Sequence, residues 1–274
     1  MNPEELSLRA HDGLPLRGYL WPSAGNGLLT IVHGYGEHAR RYGEFAGWLA
    51  ERGWNVAALD LRGHGASGGR RGHIASFQQY LDDLDAFRAV IQREVNAAAD
   101  AILGHSLGGL IAVRYLEERS TGIEAAVLSS PALELALRVP PWKRALARWA
   151  SRLTPWLSLP SGIAPEHLSH DPGVVDAYRR DPLVHRVATA RWFIETLAAQ
   201  RAAMARAGAI AIPLLVIVGD ADPMVSSEAI QQFVERCGSR RKKLVVYEGF
   251  YHEPLNELGR ERVWEEVLRW LATV

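Results

Sequence analysis

The stretch Ala101–Glu118, AILGHSLGGLIAVRYLEE, decides the fold. Ala101, Ile102 and Leu103 form a short apolar run that reads as a buried strand. Gly104-His105-Ser106-Leu107-Gly108 follows and matches G-x-S-x-G. Leu107, Leu110, Ile111, Val113, Tyr115 and Leu116 then open a helix-period stretch. Strand, tight turn and helix in that order make a nucleophile elbow, in which a serine sits in a strained turn with its hydroxyl exposed. Positions two before and two after it approach neighbouring backbone too closely for a side chain, and both are glycine here. The helix starts beside the serine and aims its first N–H groups at a developing oxyanion. A bare G-x-S-x-G is common and would also suit an ordinary strand–loop–helix link. The flanking elements supply the specificity.

Upstream, Glu5–Arg9 and Pro15–Trp21 flank the turn signal His11-Asp12-Gly13 and alternate apolar with polar, as in an antiparallel hairpin at a sheet edge. Leu28–Val32 and Asn55–Leu59 are buried-strand runs, with a helix expected at Tyr42–Arg52 between them. Phe77–Val95 carries Phe77, Tyr80, Leu81, Leu84, Phe87, Ile91 and Val95 on one helical stripe. Downstream, Ala125–Ser129 is another strand. The alternation breaks near Pro131 and resumes at Pro213, with strands at 213–218 and 244–247 and helices at 227–237 and 260–271. Alternating strands and helices imply an α/β fold with a mostly parallel sheet covered on both faces. Its active site is expected beyond the carboxyl ends of the strands. The expected organisation is a core of residues 1–130 and 209–274 with a helical cap, 131–208, inserted between strands. Within the cap, Trp142, Leu146, Trp149 and Leu153 recur at spacings of four and three, with Lys143, Arg144, Arg148 and Arg152 on the other side. Pro141 suits the helix start and Pro155 its end. This cationic amphipathic helix is expected to line a lipophilic pocket, with contact to a membrane or micelle surface as the second possibility.

A serine hydroxyl needs a base to take its proton and a third group to orient that base. In this fold the order is serine, acid, histidine. Two loops after strands satisfy it. One reads Gly219-Asp220-Ala221-Asp222-Pro223 and the other Glu248-Gly249-Phe250-Tyr251-His252-Glu253. His252 is the expected base, and Asp220 and Asp222 compete for the acid. His33, Glu37 and His38 resemble a metal trio at first sight. An oxyanion loop after Val32 explains them better, with the Tyr35 N–H facing the site and the Leu107 N–H as second donor. No histidine pair has metal-ligand spacing on a helix, so no metal site is expected. Gly63-His64-Gly65-Ala66-Ser67-Gly68 fits G-x-G-x-x-G, yet Gly69-Arg70-Arg71-Gly72 follows where the dinucleotide fingerprint requires a helix. No cofactor is expected.

Taken together, the motifs resemble the α/β-hydrolase superfamily and, within it, the monoacylglycerol lipase and lysophospholipase branch. The matching stretches are His33–His38 with Arg41-Tyr42, Asp60–Gly68, Gly104–Gly109, Asp181-Pro182-Leu183, Gly219–Asp222 and Tyr251-His252-Glu253. The resemblance implies Ser106 as nucleophile, Asp222 as acid, His252 as base, and Tyr35 and Leu107 as oxyanion donors. It suggests that Glu37 and Arg41 build the polar end of a pocket near a glycerol-like head group, the alternative being a salt bridge that holds the loop. Leu107 stands where many members have methionine, a volume-conserving change that leaves an N–H donor intact. The implied activity is hydrolysis of monoacylglycerol esters through an acyl-enzyme. Lysophospholipids, small carboxylic esters, thioesters and aminoacyl peptides are other substrates of the same triad. A binding protein that has lost catalysis is the reading from a different class, and the intact triad argues against it.

Composition sets the outer bounds. A chain of 274 residues makes one large domain, or a domain with an insertion, and buries roughly three quarters of its unfolded surface. With 31 basic and 31 acidic residues it lacks the basic excess expected of a nucleic-acid partner. The single cysteine, Cys237, excludes an internal disulfide. The lone cysteine fits a reducing cytoplasm, the expected location, and the acidic opening MNPEELSLRAHDG, without a long apolar core, does not read as a signal peptide. Nothing in the sequence specifies an oligomeric state.

Overall fold

A computed structural model describes residues 1–134, 136 and 140–273. The start of the expected cap includes residues 135 and 137–139, which lie outside that set. The chain opens with β1 (Glu4–Arg9), β2 (Pro15–Trp21) and β3 (Gly27–Val32). Next come α1 (Gly43–Ala50), β4 (Trp54–Asp60), α2 (Gln78–Glu94), β5 (Ala99–His105), α3 (Leu107–Arg119) and β6 (Ala125–Ser129). The interval that follows holds α4 (Pro141–Leu153), β7 (Ser158–Pro160), α5 (Pro172–Arg180), β8 (Val187–Thr189) and α6 (Ala190–Arg206). The chain finishes with β9 (Leu214–Gly219), α7 (Ser227–Arg236), β10 (Lys242–Tyr247) and α8 (Glu261–Leu271).

The large sheet runs β1-β2-β4-β3-β5-β6-β9-β10. The β1–β2 hairpin forms its edge, and β2 pairs antiparallel with β4. From β4 to β10 every neighbouring pair is parallel. The central strands β3, β4 and β9 are buried along their whole length, because helices cover both faces. On one face, Leu84 of α2, Leu110 of α3 and Phe233 of α7 share a core with Val32 and Ile102. On the other, Phe45 of α1 and Val263 and Val267 of α8 pack on Ile31, Leu103 and Ile217. Burying one such side chain contributes about 1.5–3 kcal/mol.

The interval between β6 and β9 is not uniform. Ala199 and Ala203 of α6 join the core beside α3, so α6 is packed as part of the main body. α4 instead rests on α6 through a small-residue side, where Ala147 and Ala150 are half-buried and Ser151 is buried. β7 and β8 form a short antiparallel ribbon between them.

Register brings the functional loops together. Val32 pairs with Gly104, so the loops starting at His33 and at His105 leave the sheet side by side. His105 pairs with Ser129, Ser129 with Ile217, and Gly219 with Tyr247. Four loops thus leave one carboxyl edge of a parallel sheet, where ligands bind in open α/β folds.

Candidate active site

Ser106 adopts φ 51° and ψ −115°, a left-handed backbone that costs a serine about 1–3 kcal/mol. Surrounding bonds hold it there. Its N–H donates to the Ser129 carbonyl at 2.9 Å, and its carbonyl accepts from Ala132 and Leu110 N–H at 2.9 and 3.1 Å. The two flanking glycines are sterically required. A Cβ on Gly108 would sit 1.9 Å from the Val32 carbonyl oxygen, and one on Gly104 would sit 2.4 Å from the Gly108 carbonyl oxygen. Alanine at 108 would push the start of α3 off the end of β3, and alanine at 104 would push it off β5. Leu107 is the first residue of α3, where the helix's leading N–H groups have no intrahelical acceptor.

The His252 Nε2 lies 2.9 Å from the Ser106 hydroxyl oxygen, and its Nδ1 lies 2.8 Å from Asp222 Oδ2. The other Asp222 oxygen accepts from the Met224 and Val225 N–H groups at 2.8 and 3.3 Å. Burial alone would raise the Asp222 pKa, but the His252 ring and these N–H donors hold it below the ordinary carboxylate value. Burial works the other way on His252. The adjacent Asp222 charge outweighs it and raises the pKa, with further help from Glu253 and Glu37. A carboxylate that binds Nδ1–H leaves Nε2 free to accept the serine proton, which is the arrangement that activates a serine nucleophile. Asp220, the other candidate acid, is exposed and accepts from the Gly249 N–H at 2.6 Å.

The loop after β3 lies against the elbow. A Cβ on Gly34 would come 3.3 Å from Ser106 Cβ and 3.1 Å from the His105 ring. The three residues that suggested a metal trio have separate partners. His33 Nε2 accepts from the Leu61 N–H at 3.0 Å while Nδ1 faces the Gly34 carbonyl at 2.7 Å. Glu37 Oε1 accepts from the Gly34 N–H at 2.6 Å and the Tyr42 hydroxyl at 2.8 Å. His38 Nε2 pairs with Asp181 at 2.8 Å.

Arg41 is 9% exposed at its side chain and is committed to two carboxylates. It donates to Glu37, and in a two-pronged contact to Glu253 at 2.7 and 2.8 Å. Burial would raise the Glu37 pKa, yet the Arg41 charge, with His105 and His33, brings it down to about 2. Of the two expected head-group residues, Glu37 lines the cleft, and both are bound in this ion network. Sequence reasoning assigned no role to Glu253, although it sits beside His252. Its signal was an acidic side chain next to His252, with a basic residue, Arg41, in the loop after β3. Glu257 was missed too. It accepts from the His170, Leu258 and Tyr251 N–H groups and ties the 169–171 segment to the histidine loop.

A narrow cleft opens over Ser106 and is lined by Gly34, Tyr35, Glu37, His105, His252 and Glu253. Its remaining walls are Ile163, Leu168, Tyr178 and Met224. His105 also faces the Ser129 carbonyl through Nδ1 at 3.1 Å, and burial lowers its pKa to about 4. No α4 residue lines this cleft. Trp142, Leu146, Trp149 and Leu153 are between 62% and 70% exposed, so the expectation that they line the pocket is corrected. The helix turns its small residues to α6 and its large ones outward.

The family model described as serine aminopeptidase, S33, matches residues 24–259. The chain belongs to this family. A monoacylglycerol lipase of Mycolicibacterium smegmatis is 34% identical over 248 residues, covering 90% of this chain and 88% of that protein. Phospholipase YtpA of Bacillus subtilis is 32% identical over 244 residues, covering 87% and 92%. The crystal structure of a monoacylglycerol lipase from Paleococcus ferrophilus superposes with a TM-score of 0.86 at 33% identity, covering 94% and 98%. This S33 protein is an α/β-hydrolase and a serine hydrolase of the lipase and esterase kind, similar to monoacylglycerol lipases. Among the described residues, no helix is long and apolar enough to cross a membrane.

Proposed function

We propose that this S33 hydrolase cleaves the ester bond of monoacylglycerols through an acyl-enzyme. Ser106 attacks the carbonyl carbon while His252 Nε2 takes its proton, and Asp222 holds the ring and stabilises the imidazolium. The oxyanion is received by the Tyr35 and Leu107 N–H groups. His252 then protonates the departing alcohol, the acyl group stays on Ser106, and a water activated by His252 releases the acid. No cofactor or metal enters the scheme. The unbroken hydrogen-bond chain from Asp222 through His252 to Ser106 carries this reading. Relatives named as monoacylglycerol lipases, matched over most of both chains, support the substrate class. The polar side chains lining the cleft, Glu37, Glu253 and Tyr178, support a hydroxylated head group.

The similarity to a phospholipase favours lysophospholipids as the second reading. A fluorophosphonate probe followed by peptide mapping tests the nucleophile, and Ser106→Ala is expected to remove both labelling and turnover while melting as the parent does. Substantial turnover in the pure variant refutes it. Monoacylglycerol and lysophosphatidylcholine of equal chain length then separate the two substrates.

The outward face of α4 supports transient contact with a lipid surface. Trp and Leu side chains stand there beside Lys143, Arg144, Arg148 and Arg152, and the helix carries no acidic residue. The lone cysteine supports a reducing, cytoplasmic setting.

A further inference from the structure

We propose that Asp181 is a positioning residue that sets the Tyr35 oxyanion donor by gripping its loop through His38. The inference rests on the reading of the Tyr35 N–H as such a donor. Gly34 and Gly36 flank Tyr35, and Gly36 has φ +80°, so the loop carries little conformational preference of its own. Its shape must come from outside contacts, and these arrive from two sides.

From the core, Glu37 takes the Gly34 N–H, and Asp60 takes the Ala39 N–H at 2.8 Å. From the interval between β6 and β9, the single segment 181–187 supplies three grips. Asp181 pairs with His38 at 2.8 Å, the His185 N–H donates to the Gly36 carbonyl at 2.9 Å, and the Tyr35 hydroxyl donates to the Val187 carbonyl. The two segments also interlock sterically, since a Cβ on Gly36 would lie 2.6 Å from the His185 carbonyl oxygen. Asp181 is itself anchored at the end of α5. Its N–H donates to the Ala177 carbonyl at 3.0 Å, and its second oxygen accepts from the Leu183 N–H at 2.8 Å. One carboxylate therefore closes its own turn with one oxygen and reaches the oxyanion loop with the other. It touches neither Ser106 nor His252. Its effect passes through His38, along the loop to the Tyr35 peptide. Displacing an oxyanion donor by about an ångström costs on the order of a hundredfold in rate.

Asp181→Ala removes both contacts, and Asp181→Asn offers one acceptor where two are used. On a water-soluble ester, kcat is expected to fall about ten- to a hundredfold in Asp181→Ala with KM within about twofold. An alkyl boronic acid, whose adduct with the serine places an oxygen in the oxyanion site, should lose affinity by the same factor. His38→Leu, which removes only the contact to the oxyanion loop, should lose rate in the same direction and by no more than Asp181→Ala, the double variant should be no worse than Asp181→Ala, and His38→Gln, whose amide can donate to Asp181, should recover most of the rate. A folded Asp181→Ala with parental kcat overturns the proposal. So does a lower kcat with unchanged boronic acid affinity, the signature of a merely structural loss. If Asp181→Ala does not fold, the His38→Leu and His38→Gln pair carries the same test from the core side. Probe labelling keeps the underlying reading separate. Unlabelled parent Ser106 refutes the triad, whereas labelled parent with a parent-like Asp181→Ala refutes only the grip.

Discussion

Asp222→Asn should cost about 10⁴ in kcat while leaving the backbone in place. Asp222 has two duties, one oxygen on the Met224 and Val225 N–H groups and the other on His252 Nδ1. An asparagine has one carbonyl. If it serves the backbone, its NH₂ faces Nδ1, and the ring proton moves to Nε2, which then donates to Ser106 instead of accepting from it. If the amide turns round, its NH₂ faces two buried N–H groups, at about 1–3 kcal/mol for each donor left unpaired. The first orientation wins, and the base is held in the wrong tautomer. The same isosteric change in a serine protease triad costs about 10⁴, equivalent to about 5.4 kcal/mol. Asp220→Asn keeps a carbonyl for the exposed Gly249 N–H and should cost less than about tenfold. Initial rates on a soluble ester, normalised to folded protein, give the comparison. The reasoning is refuted if Asp222→Asn retains more than about a tenth of the parent rate, or if Asp220→Asn is the slower variant.

Arg41→Met strands Glu37 and Glu253 as buried carboxylates and should destabilise by about 3–5 kcal/mol, a fall in Tm on the order of 10 °C; an unchanged melt with a raised KM would make Arg41 a head-group ligand instead. Burial lowers the pKa values of His33, His64, His105 and His185, the last two to about 4. The unfolded chain binds more protons below its pKa of about 6.5, so these groups withdraw stability as pH falls from about 6.5 towards about 4. His252 has the opposite sign. Its contribution is full below about 6.5 and is lost as pH rises through its raised folded value. Below about 6.5 the His252 contribution is constant, so calorimetric Tm should drop as pH falls from about 6.5 towards about 4, and a flat profile would count against it. Because the base must be neutral, kcat/KM should climb with pH through a pKa above the ordinary histidine value. Leu146→Glu with Trp149→Glu should abolish co-sedimentation with vesicles containing anionic lipid and leave soluble-ester rates within about twofold; vesicle binding as in the parent would remove α4 from that role.

Element positions were largely legible. The helix expected at 77–95 is observed as Gln78–Glu94, and the strand expected at 28–32 as Gly27–Val32. Such elements are written in periodicity and in turn residues within a few positions of one another. α4 was legible as a helix and misread as a pocket wall. An amphipathic pattern shows that a face is apolar, while what covers that face depends on which element arrives from elsewhere.

Sequence by itself determined the local chemistry: a serine clasped by two glycines after a strand, a histidine and two aspartates after later strands, and the order that links them. Those features are steric and local, so they survive without knowledge of the rest of the chain. Tertiary structure decided the partners. Asp222 rather than Asp220 meets His252, though the two carboxylates are only two residues apart. Arg41 meets Glu253, 212 residues away, and His38 meets Asp181, 143 residues away. The choice between a charge that binds substrate and one that braces a loop is made by distances of a few ångströms between distant segments. Strand register and the packing of the interval between β6 and β9 set those distances, and no local pattern encodes them.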